Sequence, residues 1–110
     1  MTHSRNKGRN AEREVELILQ RHGFGTDRNL GGRVQVAGDL VVYGPLLTSP
    51  RPLAVEVRRR ERIEVVKWSA EHEDSTPDSH LPLVAYRPSR QPWRVSMLLD
   101  DLLPLLGGES

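Results

Sequence analysis

The amino-acid sequence predicts a single α/β domain in which helices flank one mixed β-sheet. Its 110 residues suffice for one domain with its own core, and its 36% hydrophobic and 28% charged content is typical of a globular protein. Segments with helical periodicity alternate with short runs of β-branched residues, which is the order expected of an α/β fold. We expect residues 1–110 to form one domain, with residues 1–6 flexible.

Apolar spacing and turn residues place the elements along the chain. In the first helix, Ala11, Val15 and Leu19 recur at helical spacing, and Gly23 ends the pattern. A last short helix is capped by Asp100 or Asp101 and ends at the pair of glycines that follows Leu106. The predicted elements are a helix over 10–22, at most a short strand within 23–36, strands over 40–43 and 53–59, a helix over 62–73, a hairpin over 83–87 and 93–98, and the last helix.

Composition excludes several classes of protein and of site. The chain contains no cysteine, which excludes a disulfide framework and a thiolate metal site. The first ten residues lack the apolar core of a signal peptide, and no apolar run approaches the length of a membrane span. We therefore expect a cytoplasmic protein with no membrane partner.

Charged residues are segregated along the chain, although the formal net charge is only +1. Residues 87–94 contain three arginines and no acidic residue, whereas residues 63–79 contain five acidic residues and one lysine. Such polarisation either presents a basic face to phosphate groups or is an ordinary solvated surface. Charge alone favours neither interpretation.

Acidic residues stand where the predicted strands are otherwise apolar. Asp39 directly precedes the strand over 40–43, and Glu56 lies among strong strand formers, on the same strand face as Arg58. Burying a lone carboxylate is costly unless it is paired or bound to a metal, so we expect the two to converge. Glu12 borders the inward stripe of the first helix and is a third candidate, with the next two glutamates of that helix farther toward solvent.

The three carboxylates together suit metal-dependent hydrolysis of a phosphodiester. Asp39 and Glu56 would hold Mg²⁺, or Mn²⁺ in its place, with the Val57 carbonyl as a third ligand. Glu12 would hold a metal-bound water or a second metal. Singly, each acid has an ordinary alternative: a first-turn helix acid, a Gly-Asp turn, or an ion pair on an edge strand. The prediction therefore rests on their joint occurrence.

Three blocks of the sequence resemble the motifs of archaeal and phage-type Holliday-junction resolvases in the PD-(D/E)xK nuclease superfamily. The blocks are Lys-Gly-Arg-Asn-Ala-Glu-Arg-Glu at 7–14, Gly-Asp-Leu-Val-Val at 38–42 and Val-Glu-Val-Arg at 55–58. The resemblance implies a restriction-endonuclease-like fold, Mg²⁺ dependence, a homodimer, and paired nicks across branched DNA, namely a four-way junction. It also implies that the cell is prokaryotic or phage-infected. By motif, Glu12, Asp39 and Glu56 carry over as the acidic site.

Basic residues near these blocks are the candidates for contacts with the DNA backbone. One of them, Arg28, matches a basic residue that the resembled enzymes place before the acidic strand. The candidates are Lys7, Arg9, Arg28, Arg33, Arg59 and Arg60.

Arg58 stands where the resembled family has lysine. Arginine stays protonated at any working pH, so Arg58 could hold a phosphate or orient a hydroxide but could not transfer a proton. Lys67, on the following helix, could supply the lysine function, or it could be a surface residue. The alternatives to a resolvase are another repair or restriction-like nuclease of this superfamily, or a module that binds DNA without cutting it.

Overall fold

The structure of the protein is a computed structural model that describes residues 3–28, 38–44 and 47–108, with side chains from Asn10 onward. Its elements alternate between helices and strands, in agreement with the predicted α/β class. In chain order they are α1 (His3–Arg21), β1 (Gly25–Arg28), β2 (Leu40–Tyr43), β3 (Leu53–Arg59), α2 (Val65–Ser75), β4 (Leu81–Arg87), β5 (Arg94–Ser96) and α3 (Leu99–Leu105).

The described strands form one five-stranded sheet in the order β1-β2-β3-β4-β5. β3 and β4 are parallel, and every other neighbouring pair is antiparallel, so the sheet is mixed as predicted. Parallel neighbours cannot be joined by a tight hairpin, and α2 provides the crossover between them. The carboxyl ends of β3 and β4 therefore lie side by side at one edge of the sheet.

The two longer helices pack against opposite faces of this sheet. On one face, Val15 of α1 belongs to a core cluster with alternate residues of the central strands, such as Val42 and Val55. On the other face, α2 packs against β4 and buries Trp68 and His72. Among the described residues, no helix is long and apolar enough to cross a membrane.

Several predicted boundaries are corrected by the structure. α1 begins at His3 rather than at residue 10, so residues 3–6 of the segment predicted to be flexible lie in the helix, whereas residues 1 and 2 lie outside the described ranges. α2 begins at Val65 rather than at residue 62. The predicted acidic cap of α3 is wrong, because its N-cap is Leu98 and no side chain makes a capping hydrogen bond. The glycine stop is confirmed, since the Gly107 and Gly108 amides bond back to carbonyls of the last turn.

The turn before β2 depends on the glycine at position 38. Gly38 has φ +105°, and a Cβ there would lie 2.9 Å from the Val55 oxygen and 3.1 Å from Cε1 of His72. The chain can therefore approach β3 closely only without a side chain at this position. That approach lets the Asp39 amide donate a hydrogen bond of 2.8 Å to the Val55 carbonyl.

We expect Gly38→Ala to lower the free energy of unfolding by about 1–3 kcal/mol, measured by urea denaturation, because it adds both a left-handed strain and a clash. Gly107→Ala is the matched control: Gly107 has φ +93°, but a Cβ there would meet nothing within 4 Å. The Gly107→Ala variant should lose less unfolding free energy than Gly38→Ala, since it adds backbone strain without a clash. Equal losses in the two variants would contradict the role assigned to close packing at Gly38.

Candidate active site

A cavity of about 220 Å³ opens at the edge of the sheet where β3 ends, and it contains all three predicted acidic residues. α1 contributes Glu12, the turn before β2 contributes Asp39, and β3 contributes Glu56. The full lining is Ala11, Glu12, Asp39, Glu56, Val57, Arg58, Arg59 and Arg60. The structure thus brings together the acids expected to converge, and their chemical roles stay predictions.

Asp39 is fixed against β3 by hydrogen bonds to both its main chain and its side chain. Its amide donates to the Val55 carbonyl, and its Oδ2 accepts a hydrogen bond of 2.8 Å from the Val57 amide. The carboxylate is therefore satisfied at Oδ2 by a backbone donor. This arrangement places it beside Val57 on the strand that carries Glu56.

Arg58 is held between a carboxylate and an aromatic ring. Its Nη2 lies 3.1 Å from Oε2 of Glu56, as expected for residues two apart on one strand face. Its guanidinium carbon lies 5.8 Å from the centroid of the Trp68 ring, within cation–π range. The cation therefore offsets the charge of Glu56 inside the cavity, at the position where the resembled family has lysine.

Lys67 does not reach this cavity. It lies on the exposed side of α2, one residue before the buried Trp68, and it is absent from the cavity lining. The prediction that Lys67 could replace the motif lysine beside Glu56 is therefore not supported by its position. Among the residues whose side chains are described, the cations that line the cavity are all arginines.

The donor set fits a magnesium ion that is completed by substrate and water. Among the described residues, no group of three histidine or acidic side chains is arranged to hold a metal by itself, and the predicted role of Glu12 at the metal stays a prediction. Mg²⁺ is typically held by one or two carboxylates, while waters and substrate phosphates complete its shell. Asp39 and Glu56 both line the cavity and would provide such a pair of hard oxygen ligands.

Glu14 was expected to face solvent, and the structure shows instead that it connects α1 to the ends of two strands. Its Oε1 accepts hydrogen bonds from Arg87 at 2.9 Å and from the Trp93 indole at 3.2 Å. Its Oε2 lies 3.6 Å from Nη1 of Arg59. Arg87 also stacks over the Trp93 ring at 5.2 Å. Glu14 thereby orients Arg59, which lines the cavity.

The predicted DNA contacts divide into paired, exposed and undescribed residues. Arg28 is ion-paired with Glu16 at 3.3 Å, so Glu16 too is drawn from solvent into a contact. Arg60 is exposed at the cavity. Lys7 and Arg9 lie in α1 without described side chains, and Arg33 lies outside the described residues.

We expect Glu14→Ala to lower the free energy of unfolding by about 1–3 kcal/mol, because Arg87, whose side chain is only 13% exposed, loses its carboxylate partner and keeps only the Gln91 carbonyl as an acceptor. Urea denaturation measures the loss. Glu71→Ala on the exposed side of α2 is the matched control and should change stability by less than about 0.5 kcal/mol. If the Glu14 variant is as stable as the Glu71 variant, the contacts of Glu14 with Arg59, Arg87 and Trp93 do not hold α1 in place.

Comparison with known proteins supports the fold. No protein-family model matches the sequence, and no curated protein matches it. Among solved structures, the chain is similar to Hjc, a Holliday junction resolvase from the archaeal hyperthermophile Archaeoglobus fulgidus, with a TM-score of 0.56 and 22% sequence identity. The match covers 83% of this chain and 72% of that chain. At this identity the likeness establishes a shared fold, and the predicted restriction-endonuclease-like fold is thereby confirmed.

Proposed function

We propose that the protein is a metal-dependent, structure-selective DNA endonuclease that resolves four-way junctions by paired nicks. The observation that carries the proposal is the cavity where Asp39 and Glu56 meet beside a row of arginines. Phosphodiester hydrolysis needs acidic ligands for a metal and cationic groups for phosphate, and this cavity contains both. The fold shared with a Holliday junction resolvase supports the same assignment.

The residues of the cavity would divide the work by their chemistry. Mg²⁺, or Mn²⁺ in its place, would be held by Asp39 and Glu56 and would stabilise negative charge on the scissile phosphate. Arg60, which is exposed at the cavity, would bind a phosphate next to the scissile one. Glu12 would accept a hydrogen bond from the attacking water and orient it. Arg58 would stabilise charge without transferring a proton, because its guanidinium stays protonated.

A homodimer follows from the proposed task. Symmetric cuts across a four-way junction require two sites related by a two-fold axis. The exposed leucines of the C-terminal segment support such an assembly, since clustered exposed apolar residues are typical of interfaces. They are Leu98, Leu99, Leu103 and Leu106. Selectivity would come from junction shape and phosphate contacts rather than from reading bases.

A second candidate is a module that binds branched DNA without cutting it. It is favoured by one observation: Glu56 is ion-paired with Arg58, where a lysine would be expected. A third candidate keeps the nuclease and changes the substrate to flaps, mismatches or duplex DNA. Nicking assays at equal salt on a panel of DNA structures separate the three candidates.

We expect Asp39→Asn and Glu56→Gln each to slow nicking of a synthetic four-way junction by at least about a hundredfold, because each removes a charged ligand from the site. Junction binding, measured by fluorescence anisotropy, should remain. Glu71→Gln is the matched control, since Glu71 is exposed on α2 and is not part of the cavity lining. Chelation with EDTA should stop the wild-type reaction, and nicking that persists in EDTA would refute metal dependence.

We expect Arg58→Lys to raise the single-turnover nicking rate by about tenfold or more, since lysine can take part in proton transfer and arginine cannot. Arg58→Met keeps the apolar stem against Trp68 without the charge and should reduce the rate. If the lysine variant nicks no faster than the wild type, the arginine at position 58 already supplies what the reaction needs there, and the expected gain from proton transfer is refuted. Thermal unfolding of both variants controls for loss of structure.

A further inference from the structure

The arginines around the cavity fall into two groups with different environments. Arg58, Arg59 and Arg87 are partly buried and ion-paired with glutamates. A second group is exposed and makes no ion pair within the described part of the chain. It comprises Arg60, Arg62, Arg90 and Arg94, which we call the arginine rim. Phosphate groups can bind the arginines of the rim directly, whereas Arg58, Arg59 and Arg87 could bind phosphate only after their ion pairs with glutamate break.

Sheet topology places the two halves of the rim next to each other. Arg59 of β3 lies opposite Arg87 of β4 in parallel register, so the segments that follow these strands leave the sheet at the same edge. The Arg60 amide donates a hydrogen bond of 3.2 Å to the Arg87 carbonyl at this point. Arg94 lies opposite Tyr86, which in turn lies opposite Arg58 of the cavity. The rim is therefore continuous with the candidate active site.

The turn between β4 and β5 holds one rim arginine in an unfavourable backbone conformation. Arg90 has φ +63°, in the left-handed region that favours glycine. The turn is pinned at the preceding residue, because both the amide and the hydroxyl of Ser89 donate hydrogen bonds to Oε1 of Glu61. An exposed arginine kept in a strained and anchored turn contributes little to packing, which points to a role in binding.

We infer that the arginine rim binds the phosphate backbone of the DNA arm next to the cleaved strand, with Arg90 and Arg94 as its outer contacts. The inference rests on the proposed function and names the surface that carries the substrate beyond the cavity. β3 and β5 are separated by two strand spacings, about 10 Å, so the rim is wide enough to contact more than one phosphate of the same DNA strand, along which the axial rise is about 3.4 Å per phosphate. Guanidinium groups suit this partner because they bind phosphate oxygens in pairs.

The inference is tested by the salt dependence of binding to a labelled four-way junction, in EDTA so that no cutting occurs. The plot of log affinity against log salt has a negative slope. We expect the double variant Arg90→Gln/Arg94→Gln to reduce the magnitude of this slope by about 2, one per lost phosphate contact. Its Kd at 0.1 M salt should rise at least about tenfold. Arg51→Gln is the matched control, because Arg51 is also an exposed arginine but precedes β3, at the end of that strand opposite to Arg60.

Arg90→Gly gives a second readout that a structural role would not produce. Glycine removes the cation and relieves the left-handed strain, so the variant should unfold at the same or a higher temperature while its salt slope falls by about 1. Arg90→Lys should keep most of the affinity. If the double variant has the same salt slope and the same Kd as the wild type, the inference that the arginine rim binds DNA is overturned. If the wild type itself binds no DNA, the proposed function fails as well.

Discussion

The double attachment of Asp39 to β3 is the contact on which the site depends. A carboxylate at the start of a buried strand loses hydration, and a single side-chain hydrogen bond would leave its position loose. Here the Asp39 amide and its Oδ2 bond to Val55 and Val57 on the adjacent strand, so main chain and side chain are fixed together. Gly38 makes this approach sterically feasible, and His72, bonded through Nε2 to the Ala54 carbonyl, packs behind it. The geometry of the acidic pair is therefore set by the backbone of the sheet.

At the edge of the sheet where β3 and β4 end, acidic side chains offset the repulsion between neighbouring arginines. Parallel register puts Arg59 opposite Arg87, and like charges in opposed positions destabilise a sheet. Glu14 lies within ion-pair distance of both, and Glu56 pairs with Arg58 on the opposite face. Each of these acids neutralises a strand-end cation. The arginines of the rim remain exposed beyond the ends of β3 and β4 and at the start of β5, where solvent or a ligand can satisfy them.

Sequence reasoning was strongest where local periodicity decides the outcome. The two-residue period of β3 correctly placed Glu56 and Arg58 on one face, and a run of β-branched residues gave β2 its bounds. It failed where partners are distant in sequence. Glu14 contacts Arg87 and Trp93, which lie more than seventy residues away, and no local pattern indicates that pairing. β4 was predicted two residues short because Pro82 is unusual in a strand with neighbours on both sides.

The helix α1 carries residues of two kinds on adjoining turns. Glu12 lines the cavity, while Glu14 and Glu16 tie the helix to the strand ends through Arg59, Arg87 and Arg28. A rigid helix cannot move one of these glutamates without moving the others. Docking of α1 and occupancy of the cavity are consequently linked equilibria: a ligand that engages Glu12 in the docked state also strengthens the hold of the helix on the sheet.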